Sequence, residues 1–259
     1  AADRREGAIH INRRNYKMKQ KCAKAAYEMI KDGMVIGLGG GRTIAFLIEE
    51  LKNGNKKVKA VTPSEDTMNL CVKAGIEVLP LEFVKQIDIA FDGCNEIDKN
   101  LNALKTDGGI FTREKIVAVM AKDYVILADE EKYSDELTFE HAVAMVVIIG
   151  ATGFIGMYTT EAFLKKGEDV VATGRNKLLG KKLEEMGAKV EERSTEMKMG
   201  TLVSDDGNYL MNAYFEKGQD VKALDEKLKH ITGIVETSLF YNIVSKALIA
   251  GESGIRVID

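Results

Sequence analysis

Apolar positions in the first half of the chain follow two spacings. Met18, Cys22, Ala25 and Met29 recur at steps of three and four, which predicts a helix ending near Asp32-Gly33. Short apolar runs at 34–36, 58–61, 77–79, 87–91 and 124–128 are too brief for helices and read as buried strands. Between them, Ile44, Leu47, Ile48 and Leu51 mark an amphipathic helix. Leu70, Cys71 and Ala74 mark another, with Ser64 as its N-cap, and Ile116, Val119 and Met120 a third, with Thr112 as its N-cap. Buried strands alternating with amphipathic helices predict an α/β fold, a doubly wound and mainly parallel sheet.

The pattern changes near residue 141. Strands are expected at 143–149, 189–193, 209–215 and 234–237. Helices are expected at 181–186 and through Val221, Leu224, Leu228 and Ile231. That order, β-α-β-β-α-β, is a ferredoxin-like module. The predicted organisation is a large Rossmann-like domain of residues 17–140 plus 240–259, with a smaller α/β domain of 141–239 inserted into it. An extra helix and strand occupy about 150–176. The last strands of the large domain fall at 246–250 and 255–258.

Composition narrows the picture. The chain has 259 residues, 45% hydrophobic and 30% charged, an ordinary globular balance. A net charge of −3 gives no footprint for nucleic acid. The basic start, with Arg4, Arg5, Arg13, Arg14, Lys17 and Lys19, reads as a solvated tail leading into the first helix. No apolar run reaches membrane-spanning length. Cys22, Cys71 and Cys94 are odd in number and widely spaced, which fits reduced cytoplasmic thiols, without disulfide or metal site.

The candidate chemistry lies beyond the ends of two strands. The run 87–91 stops at Asp92-Gly93-Cys94-Asn95-Glu96. Lys105, Gly108-Gly109 and Thr112-Arg113-Glu114-Lys115 follow. In open α/β sheets, ligands sit beyond the carboxyl ends of strands. Gly37-Leu38-Gly39-Gly40-Gly41-Arg42-Thr43 joins another strand to a helix, where backbone N–H groups and the helix N-terminus suit an anion. From the residues alone, that loop is equally a tight turn, and Glu114 reads better as a first-turn glutamate favoured by the helix dipole.

These motifs resemble those of the ribose-5-phosphate isomerase type A family. That family carries DGADE, a lysine before a glycine run, and an REK segment, against DGCNE, KTDGG and TREK in this chain. The resemblance continues through Thr62-Pro63-Ser64-Glu65, Ala128-Asp129-Glu130-Glu131-Lys132, and the segments 204–209, 233–240 and 254–257. It implies an aldose–ketose isomerase of the pentose phosphate pathway, interconverting D-ribose 5-phosphate and D-ribulose 5-phosphate without cofactor or metal. It implies a cytoplasmic homodimer or homotetramer whose only ligand is a sugar phosphate. Glu114 matches the family's general base, Lys105 suits the oxyanion, and Asp92 matches a residue that handles ring opening and hydroxyl contacts. Lys19, Gly39, Gly41 and Thr43 fall on the phosphate-binding positions. Ser64, Asn95, Gly108, Gly109 and Lys132 complete the expected substrate contacts. Asn95 departs from the family's second aspartate and cannot carry a charge. Asp107 interrupts the glycine run and brings a negative charge near the expected enediolate.

Two zones lie outside the resemblance, the first 16 or so residues and roughly 150–176. The stretch from about 146 to 190 resembles the first βαβ unit of extended short-chain dehydrogenases, with Gly150, Gly153 and Gly156 at its turn. The dehydrogenases' remaining strands and Tyr-x-x-x-Lys pair do not follow, so the expectation is an insert without a dinucleotide. Two alternatives stand beside the isomerase: a sugar-phosphate sensor on the same scaffold, and an NAD(P)-binding protein using Gly150–Gly156.

Overall fold

A computed structural model describes residues 2–147, 177–195, 198–204, 207–231 and 233–259. The expected insert at 150–176 and its glycine turn lie outside the described residues. The chain divides into two compact units. Unit 1 is Ala1–Ala103, Arg113–Glu136 and Asn242–Asp259; unit 2 is Leu104–Thr112 and Leu137–Tyr241. The sequence pattern had placed the segment 104–112 with the larger domain.

Unit 1 is built on a seven-stranded sheet ordered β17-β16-β7-β4-β1-β2-β3. Its strands are β1 (Val35–Leu38), β2 (Lys59–Val61), β3 (Glu77–Val78), β4 (Ile87–Asp92), β7 (Ala121–Asp129), β16 (Lys246–Gly251) and β17 (Gly254–Ile258). All pair in parallel except β17, which returns antiparallel along β16. The chain fills the sheet outward from β1 in one direction, then from β4 in the other. The order therefore reverses between β1 and β4, a topological switch point.

Helix α1 (Ala2–Met29) starts at Ala2, so the basic segment expected as a tail is helical. Met18, Cys22, Ala23 and Ala26 bury one side of it in a core shared with Ile44, Leu47 and Ile48 of α2 (Arg42–Asn53). The sheet contributes Ile89, Phe91, Val125 and Leu127 to the same core. Helix α3 (Glu65–Lys73) buries Cys71 but leaves Leu70 37% exposed, against the apolar face expected for it.

Helix α4 (Phe111–Met120) packs on the opposite face of the sheet, where a Cβ on Gly37 would meet Val117 at 2.7 Å. Its buried side is not the apolar side expected from the sequence. Ile116 and Val119 are 43% and 68% exposed, whereas Glu114, Lys115, Val117 and Ala118 are buried. A helix that points charged side chains inward presents its leftover apolar residues outward, which inverts a pattern read by hydrophobicity. Thr112 lies inside the first turn and so is not the cap.

Unit 2 carries β9 (Val143–Val147), α5 (Lys177–Glu185), β10 (Lys189–Glu192), β13 (Tyr209–Tyr214), α6 (Val221–Lys229) and β14 (Ile234–Thr237). The four strands form an antiparallel sheet ordered β10-β13-β9-β14, the pairing of a ferredoxin-like module. Val143, Met145, Val147, Met211, Leu183, Leu224 and Leu228 meet in its core. A hairpin of β11 (Ser194–Thr195) and β12 (Lys198–Thr201) sits between β10 and β13 in sequence. Short strands β5 (Glu96–Asp98), β6 (Ala103–Leu104), β8 (Tyr133–Ser134) and β15 (Leu239–Phe240) lie outside these sheets. Among the described residues, no helix is long and apolar enough to cross a membrane.

Candidate active site

The site grows from the switch point, where Leu38 of β1 lies opposite Phe91 of β4. Beyond Leu38 the chain enters Gly39, whose N–H donates to Phe91 O at 2.9 Å. Asp92 ends β4 and is 3% exposed. Its carboxylate lies over Gly39 so closely that a Cβ there would come within 2.0 Å of Asp92 Oδ1. Glycine is required at 39 by this approach rather than by its dihedral angles.

The pairing of β4 with β7 decides what else reaches Asp92. Ala90 lies opposite Tyr124 and Asp92 opposite Ile126, so these residues share one face of the sheet. Tyr124, 2% exposed, donates its phenol to Asp92 Oδ2 at 3.1 Å, while Asp92 Oδ1 accepts from Gly93 N–H at 2.7 Å. Burial holds the Tyr124 phenol well above its ordinary pKa, reinforced by the negative charges of Asp92 and Glu114. Glu114, 5% exposed, points from α4 toward this same face. Two buried carboxylates and a buried phenol are thus gathered where an open sheet binds ligands.

A second group lies nearby in unit 1. Gly41 takes φ 91° before α2, and no side chain caps that helix. Lys19 of α1, Thr43 of α2, Asp129 at the end of β7 and Lys132 line one small concavity floored by Met18 and Cys22. Lys19 Nζ stands 3.8 Å from Asp129 Oδ2, and Lys132 Nζ donates to Cys94 O at 2.5 Å. Ser64 caps α3 by accepting from Thr67 N–H at 3.3 Å, and Thr67 Oγ1 donates to Gly39 O at 2.7 Å. The sequence predicts this cap, whereas only the fold brings α3 to the glycine loop. Asn95 is buried, and Arg42 is exposed. Cationic and hydroxyl side chains beside an uncapped helix N-terminus suit a phosphate.

Lys105, Gly108 and Gly109 belong to unit 2. Lys105 is 5% exposed; its N–H donates to Ser238 O at 3.0 Å, and its ammonium lies 5.7 Å from the Phe240 ring centre. Gly108 and Gly109 hold φ of 82° and 71°, a left-handed pair that side chains disfavour. Arg193, absent from the sequence expectations, donates to Thr106 O at 2.7 Å and braces this segment. Asp107 is exposed. Among the described residues, no three His, Cys, Asp or Glu side chains are grouped as metal ligands.

The family model of ribose 5-phosphate isomerase A (phosphoriboisomerase A) matches residues 59–166 and 169–254. The chain belongs to this family. The match runs through most of 150–176, so that segment lies within the family's span and not outside it, as its dehydrogenase-like glycines had suggested. Ribose-5-phosphate isomerase A of Methanosarcina acetivorans is 34% identical over 240 residues, 91% of this chain and 91% of that protein. The Pyrococcus furiosus member is 32% identical over 247 residues, 93% and 97% of the two chains. The solved ribose 5-phosphate isomerase A of Methanocaldococcus jannaschii superposes with TM-score 0.77 at 29% identity, covering 95% of this chain and 99% of its own. A D-ribose-5-phosphate isomerase in complex with phospho-erythronic acid gives TM-score 0.78 at 30% identity, over 94% and 98%.

Proposed function

We propose that the chain interconverts D-ribose 5-phosphate and D-ribulose 5-phosphate through an enediolate. The carrying observation is the pair of buried carboxylates, Asp92 and Glu114, facing one side of the sheet at its switch point in a member of this family. The phospho-erythronic acid held by a structural neighbour supports a phosphorylated, open-chain sugar as ligand.

In this reading Lys19, Lys132, Thr43 and the N–H group of Gly41 take the phosphate, Gly39 lets the loop pass close to it, and Ser64 and Asn95 are nearby for hydroxyl contacts. Asp92 accepts from a sugar hydroxyl and assists ring opening. Glu114 removes the C2 proton of the open aldose, and the C2–H electron pair forms the C1–C2 double bond as charge moves to O1. Lys105 and the N–H groups of Gly108 and Gly109 stabilise that oxyanion. Glu114 returns the proton to C1 as the O2 proton passes to O1, so that C1 becomes CH2OH and the electron pair left on O2 closes the C2 ketone. Drawn from the family resemblance alone is a homodimer or homotetramer, which sedimentation equilibrium reads directly.

A coupled spectrophotometric assay with ribose 5-phosphate tests the function. Replacing Glu114 by Gln should lower turnover by about two to four orders of magnitude while phospho-erythronic acid still binds. A variant keeping more than a tenth of the native rate would remove Glu114 from the role of base.

A further inference from the structure

Tyr124 is the buried polar group at the switch point that the mechanism leaves unused. A phenylalanine would fill the same space on β7 without burying a hydroxyl. Burying a hydroxyl is unfavourable unless it finds a partner. Here the partner is Asp92 Oδ2, at 3.1 Å, two positions along the same sheet face from Tyr124's own register mate Ala90. The other oxygen, Oδ1, is held by Gly93 N–H at 2.7 Å and walled by Gly39. A carboxylate bonded at both oxygens has one orientation.

We propose that Tyr124 is a positioning residue, whose phenol fixes the Asp92 carboxylate in one orientation for its contacts with the sugar. The proposal rests on the isomerase reading above. Because burial and the flanking carboxylates keep the phenol protonated well above its ordinary range, it remains a donor throughout the working pH range.

The test is a double-mutant cycle of native protein, Tyr124→Phe, Asp92→Asn and the double variant, assayed with ribose 5-phosphate. Loss of one hydrogen bond to a charged group should lower kcat by roughly tenfold in Tyr124→Phe, with KM changed less than about twofold. In the Asp92→Asn background, Tyr124→Phe should change the rate less than about twofold. Equal fold losses in both backgrounds would overturn the proposal and leave Tyr124 a packing residue. A native protein inactive on ribose 5-phosphate would instead sink the isomerase reading. In that case the carboxyl 13C resonance of Asp92, assigned by its loss in Asp92→Asn, still decides. It should be displaced at constant pH in Tyr124→Phe, and an unmoved resonance would reject the hydrogen bond.

Discussion

At the scale of single residues, the site depends on close approach. Gly39 has its own N–H tied to Phe91 O and the Asp92 carboxylate resting where a side chain would begin. Gly39→Ala should force the carboxylate to swing away, breaking its bond from Tyr124. Overpacking of this kind costs about 1–3 kcal/mol. The expected outcome is a lower urea midpoint together with loss of most turnover. Native values for both would show that Asp92 has room to move, contrary to the geometry described here.

At the scale of elements, the ligand loops are held by short ties between neighbours. Helix α3 begins at Ser64, whose hydroxyl oxygen accepts from Thr67 N–H, and Thr67 in turn holds Gly39 O. Ser64→Ala should destabilise the protein by about 1 kcal/mol, as losing an N-cap does, measured by urea unfolding. Because the same helix end supports the glycine loop, KM for the sugar phosphate should rise as well. Asp220→Ala removes the equivalent cap from α6, where Asp220 accepts from Ala223 N–H at 3.1 Å. It should cost a similar amount of stability and leave KM unchanged. Equal KM values for the two variants would separate α3 from the site. At the opposite ends of the same strands, Asp88 of β4 accepts from Val35 N–H of β1 at 3.0 Å and from Lys122 of β7 at 2.7 Å. These three strands are thereby clamped at the ends that face away from the ligand.

At the scale of the whole molecule, three buried acids tie stability to pH. Burial pushes the Cys22 thiol up to about 12 and the Cys71 thiol up to about 11, and it raises the Tyr124 phenol well above its normal range. In the unfolded chain these groups ionise nearer 9 and 10. Between the two sets of values the folded state binds more protons than the unfolded state, so stability falls as pH rises. The contribution is fully present below pH 9 and fades through the alkaline range. The urea midpoint should decline steadily from about pH 9 to 11. Cys22→Ala should show a shallower decline, whatever its stability at neutral pH. Parallel slopes for native and variant would mean that Cys22 does not carry the effect. Asp88 works in the opposite direction. The Lys122 bond, then the Val35 N–H, lowers its carboxyl pKa, so its stabilising contribution is lost as pH falls into the acid range.

Local patterning determined much of this protein. Periodicity placed α2, the buried strands and the β-α-β-β-α-β order of the second unit, because burial on one face imposes a spacing that single residues reveal. Motif spacing named the family, since glycines, carboxylates and lysines recur at fixed offsets along the chain. Tertiary structure decided the rest. Tyr124 looked like the first residue of a strand, and nothing nearby in sequence marks it as a partner of Asp92. Only the parallel register of β4 against β7 puts them on one face. The face of α4 was inverted for the same reason: burial of Glu114 and Lys115 is set by the sheet beneath the helix, not by their own hydropathy. Likewise, the demand for glycine at 39 comes from a carboxylate more than fifty positions away, and register alone delivers it there.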